Sequence, residues 1–331
     1  MGRGGRFPWN PIGWALETTL SRAGGPAADQ CRIHRPEDSI LSGQWERHEP
    51  MSSQDVPLGS QDHDNPAADA VAGDSLSFDT SVAHPARIYN YWLGGKDNYE
   101  ADRDAAEQAI AATPDILPGV RANRAFLRRA VEFVAGQGIR QFLDVGTGLP
   151  TADNTHEVAQ DIAAESRVVY VDNDPIVLAH ARALLTSTTE GETAYVDADA
   201  RDTAKIIEQA ARVLDFTQPV AVMALMVLQY IPDSDKPEQI VSELMDAVPS
   251  GSYLVISDTT TDIGDGASRV ASKINPRMGP TRLTPRPQAQ IAAYFEGLDL
   301  VEPGLVAMPE WRGEANPLVV VNAFAGVGRK P

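Results

Sequence analysis

From Ser81 onward the chain alternates between two hydrophobic periods. The stretch LPGVRANRAFLRRAVEFVAGQG sets Val120, Phe126, Leu127, Val131 and Val134 along one helical stripe, and Gly136 and Gly138 close it. Short apolar runs then predict strands at 141–145, 167–171, 193–196, 220–225 and 253–257. Helical patterns between and after them predict helices at about 153–164, 175–185, 203–214, 237–247 and 287–295. Strands separated by helices are the signature of βαβ units and a parallel sheet. Near the C-terminus, LDLVEPGLVAM and VVVNAFAGV are too close together for a crossover helix, so these two runs are predicted to pair antiparallel.

Residues 1–80 show neither period. They are rich in Gly, Pro, Ser, Gln and acids, and are predicted to be a disordered tail. Met51 opens MSSQDVPLGSQ as an ordinary start would, so residues 1–50 read either as upstream sequence translated in error or as a genuine tail. The expected organisation is therefore a tail over 1–80, a helical cap or lid over 81–138 and a core over 139–331. The formal net charge of −18 disfavours general binding to DNA or to an anionic membrane, because such a surface repels phosphates. A single cysteine, Cys31, excludes an internal disulfide framework and fits a reducing compartment. No Cys/His cluster points to a metal. Pro8, Pro11 and Glu17 interrupt any signal-like apolar core, and no run is long and apolar enough to span a bilayer, so the expected location is the cytoplasm.

The first core strand runs into LDVGTG. Gly146 and Gly148, with Thr147 between them, form a turn between strand and helix where a nucleotide could approach the backbone. A dinucleotide would rest its pyrophosphate there. Asp144 opposes that, since it would sit beside an anion, and the third glycine of a dinucleotide turn is replaced by Thr151. S-adenosyl-L-methionine carries a sulfonium and an amino group, both positive, and an aspartate under the turn attracts both. Asp172, ending the second strand in YVDNDP, can accept from both ribose hydroxyls, with Asn173 beside it. Asp174 precedes Pro175 as a helix cap. In DADARD, Asp199 is placed to accept from an adenine amino group, with Asp197 as competitor and Asp202 as a cap.

LDVGTG, YVDNDP and DADARD resemble the successive motifs of class I S-adenosylmethionine-dependent methyltransferases. HPARIYNYWLGGKDNYEADR, GTGLPTADNTHEVAQ, VVYVDNDPIVLAHARALL and YLVISDTT resemble more narrowly one bacterial S-adenosyl methyltransferase family, largely of unknown substrate, over about residues 84–330. The resemblance implies a Rossmann-like α/β fold with a mostly parallel seven-stranded sheet, an antiparallel last strand and an N-terminal helical lid. It implies that Asp144, Gly146 and Gly148 hold the methionine end, Asp172 the ribose, and Asp199 with Ala200 the adenine edge. Thr151 and Asn154 either meet the cofactor's carboxylate or cap the next helix. Where this family often reads LHFIPD, the chain has LQYIPD, so Gln229 stands in place of a histidine and cannot serve as a base.

Methyl transfer needs positioning first, and a base only if the acceptor must lose a proton. The aromatic block holds Tyr89, Tyr91, Trp92 and Tyr99, with Gly94 and Gly95 as a turn. It reads as a lid, with Arg87 or Lys96 meeting the cofactor's carboxylate and an aromatic facing the sulfonium, or as simple packing. Weak catalytic candidates are Tyr91, Gln229 and Asp258; His84, His156 and His180 read better as structural. The Gly/Pro-marked stretch after Asp258 carries Arg269, Lys273, Arg277, Arg282 and Arg286, and reads as a long loop that would favour an acidic small acceptor. Trp311 is a candidate for the opposite rim. The competing functions are an NAD(P)-dependent oxidoreductase and a non-catalytic S-adenosylmethionine-binding regulator.

Overall fold

The structure, a computed structural model, describes residues 79–151, 153–184, 187–313 and 320–331. The predicted tail, with Met51 and Cys31, lies outside them apart from residues 79 and 80. Three helices come first: α1 (Pro85–Trp92), α2 (Glu100–Ala112) and α3 (Ile116–Gly136). Then β1 (Gln141–Val145), α4 (Thr155–Ile162), β2 (Arg167–Asp172), α5 (Pro175–Leu184), β3 (Glu192–Asp197), α6 (Thr203–Ala210), β4 (Ala221–Leu225), α7 (Pro237–Asp246) and β5 (Tyr253–Thr259) alternate. The chain ends with α8 (Gly266–Ile274), α9 (Gln288–Ala293), β6 (Asp299–Leu300), β7 (Val306–Ala307) and β8 (Ala323–Arg329).

The sheet order is β3-β2-β1-β4-β5-β8-β6, with β7 also paired to β8. Strands β1 to β5 are parallel, and β8 lies antiparallel to β5. The two runs predicted to pair antiparallel do so, but the outermost position is shared by two short pieces, β6 and β7, both on β8. All five residues of β1 are buried, as expected of a parallel sheet covered on both faces. Leu143 and Val145 face one core with Val169, Val222, Ile206 and Leu244; Phe142 faces the other with Phe126, Val131 and Tyr170 of α3 and β2. The order reverses between β1 and β4, and that reversal opens a crevice at the strands' carboxyl ends.

Two expectations change. The stretch after Asp258 is not one long loop: α8 packs Ala267, Val270, Ala271 and Ile274, at helical spacing, against the α1–α2 cluster. Trp311 does not close a rim. It is fully buried, edge-on to Phe126 at 5.4 Å and to Phe133 at 5.9 Å, and joins α3 to the sheet. No helix among the described residues is long and apolar enough to cross a membrane.

Candidate functional site

A cleft of about 450 Å³ opens at the reversal point, within the range of small-molecule and cofactor sites. Its floor is the turn after β1. Gly146 and Gly148 adopt φ of 74° and 69°, the left-handed region that favours glycine. A Cβ on Gly146 would lie 2.3 Å from Val227 Cγ2, so the turn needs that glycine for space as well. Thr147 hydroxyl donates to the Asp144 carbonyl at 3.0 Å and closes the turn.

Three carboxylates rim this floor. Asp144, buried at the end of β1, accepts from Thr155 Oγ1 at 2.7 Å. Burial pushes its pKa up to about 6, against the Thr155 hydrogen bond and the nearby Arg124. Asp172 accepts from Gly148 N at 2.8 Å and Asp174 N at 2.9 Å, so it braces the glycine turn across two strands. Burial raises its pKa, and those two backbone donors oppose the rise. Asp199 is more open. Burial would raise its pKa, but Arg201 and Asn173 outweigh that and hold it below the usual range. Asn173 Nδ2 donates to Asp199 at 3.0 Å, and Arg201 bridges Asp199 and Asp235.

Of the residues singled out from sequence, Asp144, Gly146, Thr147, Gly148, Asp172, Asn173, Asp199 and Ala200 all line the cleft. Others are placed elsewhere. Asn154 caps α4 in a reciprocal box with Glu157, and its Oδ1 accepts from Thr151 N, so this pair is held by the helix end. Gly94 and Gly95 end α1: Gly94 has φ 84°, and a Cβ on Gly95 would sit 2.3 Å from the buried Asn90 side chain. Arg87 is buried, donating to Val82 O at 2.9 Å and lying 3.4 Å from Asp102 and 3.7 Å from Asp174. Asp102 and Asp174 draw it inward, away from the cleft.

The weak catalytic candidates do not meet there either. Tyr91 hydroxyl donates to Glu107 on α2. Gln229 is buried below the cleft, accepting from Thr259 N at 3.3 Å and, through its carbonyl, from Thr284 N at 2.7 Å. Asp258 is completely buried beside Arg286 at 3.6 Å, and burial lifts its pKa to about 7 despite that arginine. Arg286 laces the segment below β4: it donates to Leu228 O at 2.9 Å, to Ile231 O, and to Asp233 Oδ1 at 2.9 Å. The remaining arginines of that region are also engaged. Arg269 pairs with Asp265, and Arg277 and Arg282 donate to backbone carbonyls. Only Pro280 and Thr281 of this segment reach the cleft, so it brings no cation there.

Sequence reasoning missed Asn123 and Arg124, which line the cleft from α3; His84, read as structural, and Tyr89, read as part of a lid or of packing, line it from α1. His84 caps α1, and its Nδ1 lies 3.3 Å from Ala86 N and 3.0 Å from Asp174 Oδ2, two partners for one nitrogen. Asn123 and Arg124 fall on the same helical stripe as Val120 and Leu127, so the signal was two polar residues on a buried face. Of the other histidines, His156 is buried against Tyr170 OH at 2.8 Å and His180 lies 3.8 Å from Asp97; neither lines the cleft. Among the described residues no group of His, Cys, Asp and Glu could hold a metal.

This architecture, with an acid-rimmed glycine turn at the reversal of a mostly parallel sheet, defines a nucleoside-binding α/β protein of the class I methyltransferase type. The family model for S-adenosyl methyltransferase matches residues 72–331, and the chain belongs to that family. It is similar to the crystal structure of a DUF574 family protein from Streptomyces avermitilis, at 44% identity and a TM-score of 0.73, covering 76% of this chain and 99% of that one. It is also similar to a protein from Thermobifida fusca proposed to be a methyltransferase, at 37% identity and a TM-score of 0.70, covering 76% of this chain and 96% of that one. No curated protein matches the sequence. The cofactor is S-adenosyl-L-methionine, and the reaction is S-adenosylmethionine-dependent methyl transfer. The cleft fits this cofactor on its own terms: Asp144, buried and accepting from Thr155 Oγ1, lines the space beside the glycine turn where a cationic group would lie.

Proposed function

We propose that the acceptor is a small molecule, that the protein works in the cytoplasm, and that catalysis rests on positioning rather than on a protein base. The observation that carries this reading is the row of Asp144, Asp172 and Asp199 at three successive strand ends, with none of Tyr91, Gln229 or Asp258 at the cleft. When bound, the cofactor supplies an electrophilic methyl on a sulfonium. Asp144 holds the positive methionine end, and the Gly146–Gly148 turn lets the ligand approach the backbone. Asp172 accepts from the ribose hydroxyls while Gly148 N and Asp174 N keep its plane fixed. Asp199 and Ala200 face the adenine edge. Arg124, rather than Arg87, takes the carboxylate, because Arg87 is held by Asp102 and Asp174. The start of α1, with His84 and Tyr89, covers the cleft as the lid, while Trp92, whose indole N–H donates to Ala106 O at 3.2 Å, packs the same helix in place. An in-line displacement then needs the acceptor held and water excluded, which this cover provides.

Thermal unfolding with S-adenosylmethionine, S-adenosylhomocysteine or NAD tests the binding assignment. A ligand at a hundred times its dissociation constant adds about 2.7 kcal/mol. A rise of several degrees with both adenosyl ligands and none with NAD is the expected result. A rise with NAD alone would overturn the site assignments. Transfer of labelled methyl to a small-molecule fraction, and not to protein or RNA, tests the acceptor class.

A further inference from the structure

A second cavity of about 70 Å³ lies behind the cofactor cleft, and nothing in the reaction so far uses it. Tyr89, Met226 and Tyr230 line both spaces, so they form a shared partition. The second space is walled almost entirely by carbon. Its polar exceptions include Gln229 and Thr259, whose hydroxyl is buried without a hydrogen-bond partner. We propose that this cavity is a side pocket of the acceptor site: it takes a small apolar group of the methyl acceptor beyond Tyr89, Met226 and Tyr230, while the acceptor's reacting atom stays on the cleft side, in line with the methyl donor. The proposal rests on the cofactor reading above.

Three observations separate it from a packing void. The partition is built under strain: Met226 holds φ at 56°, a left-handed conformation that an unbranched residue adopts at a cost and that clusters at ligand sites. The partition is also fixed in place. Ser257 on β5 donates to Asn123 Oδ1 at 2.7 Å, Asn123 Nδ2 donates to Tyr89 OH at 3.0 Å, and that hydroxyl donates to Val120 O at 3.1 Å. Finally, a residue that weakens its own helix stands at the cavity wall. Gly119, in the first turn of α3, lines it, and a Cβ there would meet nothing within 4 Å. Alanine would suit the helix better, so packing alone does not account for glycine. The volume is below that of an engineered cavity that holds benzene, about 150 Å³. A group that fills it is an alkyl group of a few carbons or the edge of a ring.

The test uses the full chain carrying ¹³C at its methionine methyls and saturated with S-adenosylhomocysteine; Met226 and Met308 both line the cavity. Butan-1-ol is expected to shift these two signals saturably, glycerol to leave them in place, and Gly119→Phe to weaken the butanol response about tenfold or more. In a transfer arm with labelled S-adenosylmethionine, isobutylamine is expected to be methylated in preference to serinol, and Gly119→Phe to remove the preference. An equal response to glycerol, a preference for serinol, or a Gly119→Phe variant that behaves as wild type overturns the assignment. The variant's retained affinity for S-adenosylhomocysteine reports that it has folded, and Val270→Phe fills the same space from α8 as a second check. A wild type that fails to bind S-adenosylhomocysteine while butanol still shifts Met226 and Met308 would sink the cofactor assignment and leave the apolar pocket standing.

Discussion

Lowering the pH from 7.5 to 5.0 should weaken cofactor binding through Asp144, with Asp172, also raised by burial, acting in the same direction. Asp144 faces the cleft with its pKa pushed up to about 6 by burial. A protonated carboxyl cannot attract the cofactor's ammonium or sulfonium. With a pKa of about 6, roughly one molecule in eleven carries the charge at pH 5, against nearly all at pH 7.5, so affinity falls about tenfold, or about 1.4 kcal/mol. The same shift acts with opposite sense on the unliganded fold. A carboxyl raised from 3.8 contributes stability that is fully present below 3.8 and is lost as the pH climbs through about 6. Titration calorimetry with S-adenosylhomocysteine at both pH values, in two buffers of different ionisation heat, measures the affinity and the protons together. Binding at pH 5 should release close to one proton, and binding at pH 7.5 almost none. Asp144→Asn should weaken binding at pH 7.5 by about 1.5–3 kcal/mol, the range for a hydrogen bond to a charged group, and flatten the pH dependence. Equal affinities at the two pH values, with no proton released at pH 5, would refute the role of Asp144 as the cationic end's partner.

Trp311→Ala should cost about 3–5 kcal/mol in urea unfolding, because it empties a fully buried site between Phe126 and Phe133. Trp311→Phe should cost clearly less, since the indole N–H makes no hydrogen bond that would be lost. Arg286→Gln should destabilise the chain by about 3–5 kcal/mol by leaving Asp258 buried without its partner, and Arg286→Met combined with Asp258→Leu should recover part of that loss.

The core was legible because each element obeyed one period. Strand β1 and the acids at 144, 172 and 199 follow directly from apolar runs with a carboxylate at or just beyond their ends. The helix α8 was hidden because its stripe is short, two alanines with one valine and one isoleucine, a weak signal beside the glycines and prolines around it. Arg87 was misplaced for a different reason. A cation next to an aromatic block reads as a ligand contact, yet Asp102, eighteen positions from His84, accepts from His84 N and lies beside Arg87, a long-range pairing that no local pattern carries. Asn123 and Arg124 were overlooked because polar residues on an apolar face look like interruptions until the sheet beneath them is known. The second cavity was wholly illegible, since it is made of side chains from α1, α3, α8 and the end of β4 that meet only in three dimensions.

The outermost position beside β8 has a consequence for how copies of this chain meet one another. An open sheet edge is a template for another strand, and a long flat apolar one invites fibrils. Here β6 and β7 are two residues each and are parted by Pro303, so the row of free backbone groups is broken before a visiting strand could gain register. At the other border β3 presents exposed acids at both ends, Glu192 and Asp197, and a second acidic copy would be repelled. Despite fourteen buried residues in β1, β2 and β4, a sheet finished in this way resists recruiting its own kind at high concentration.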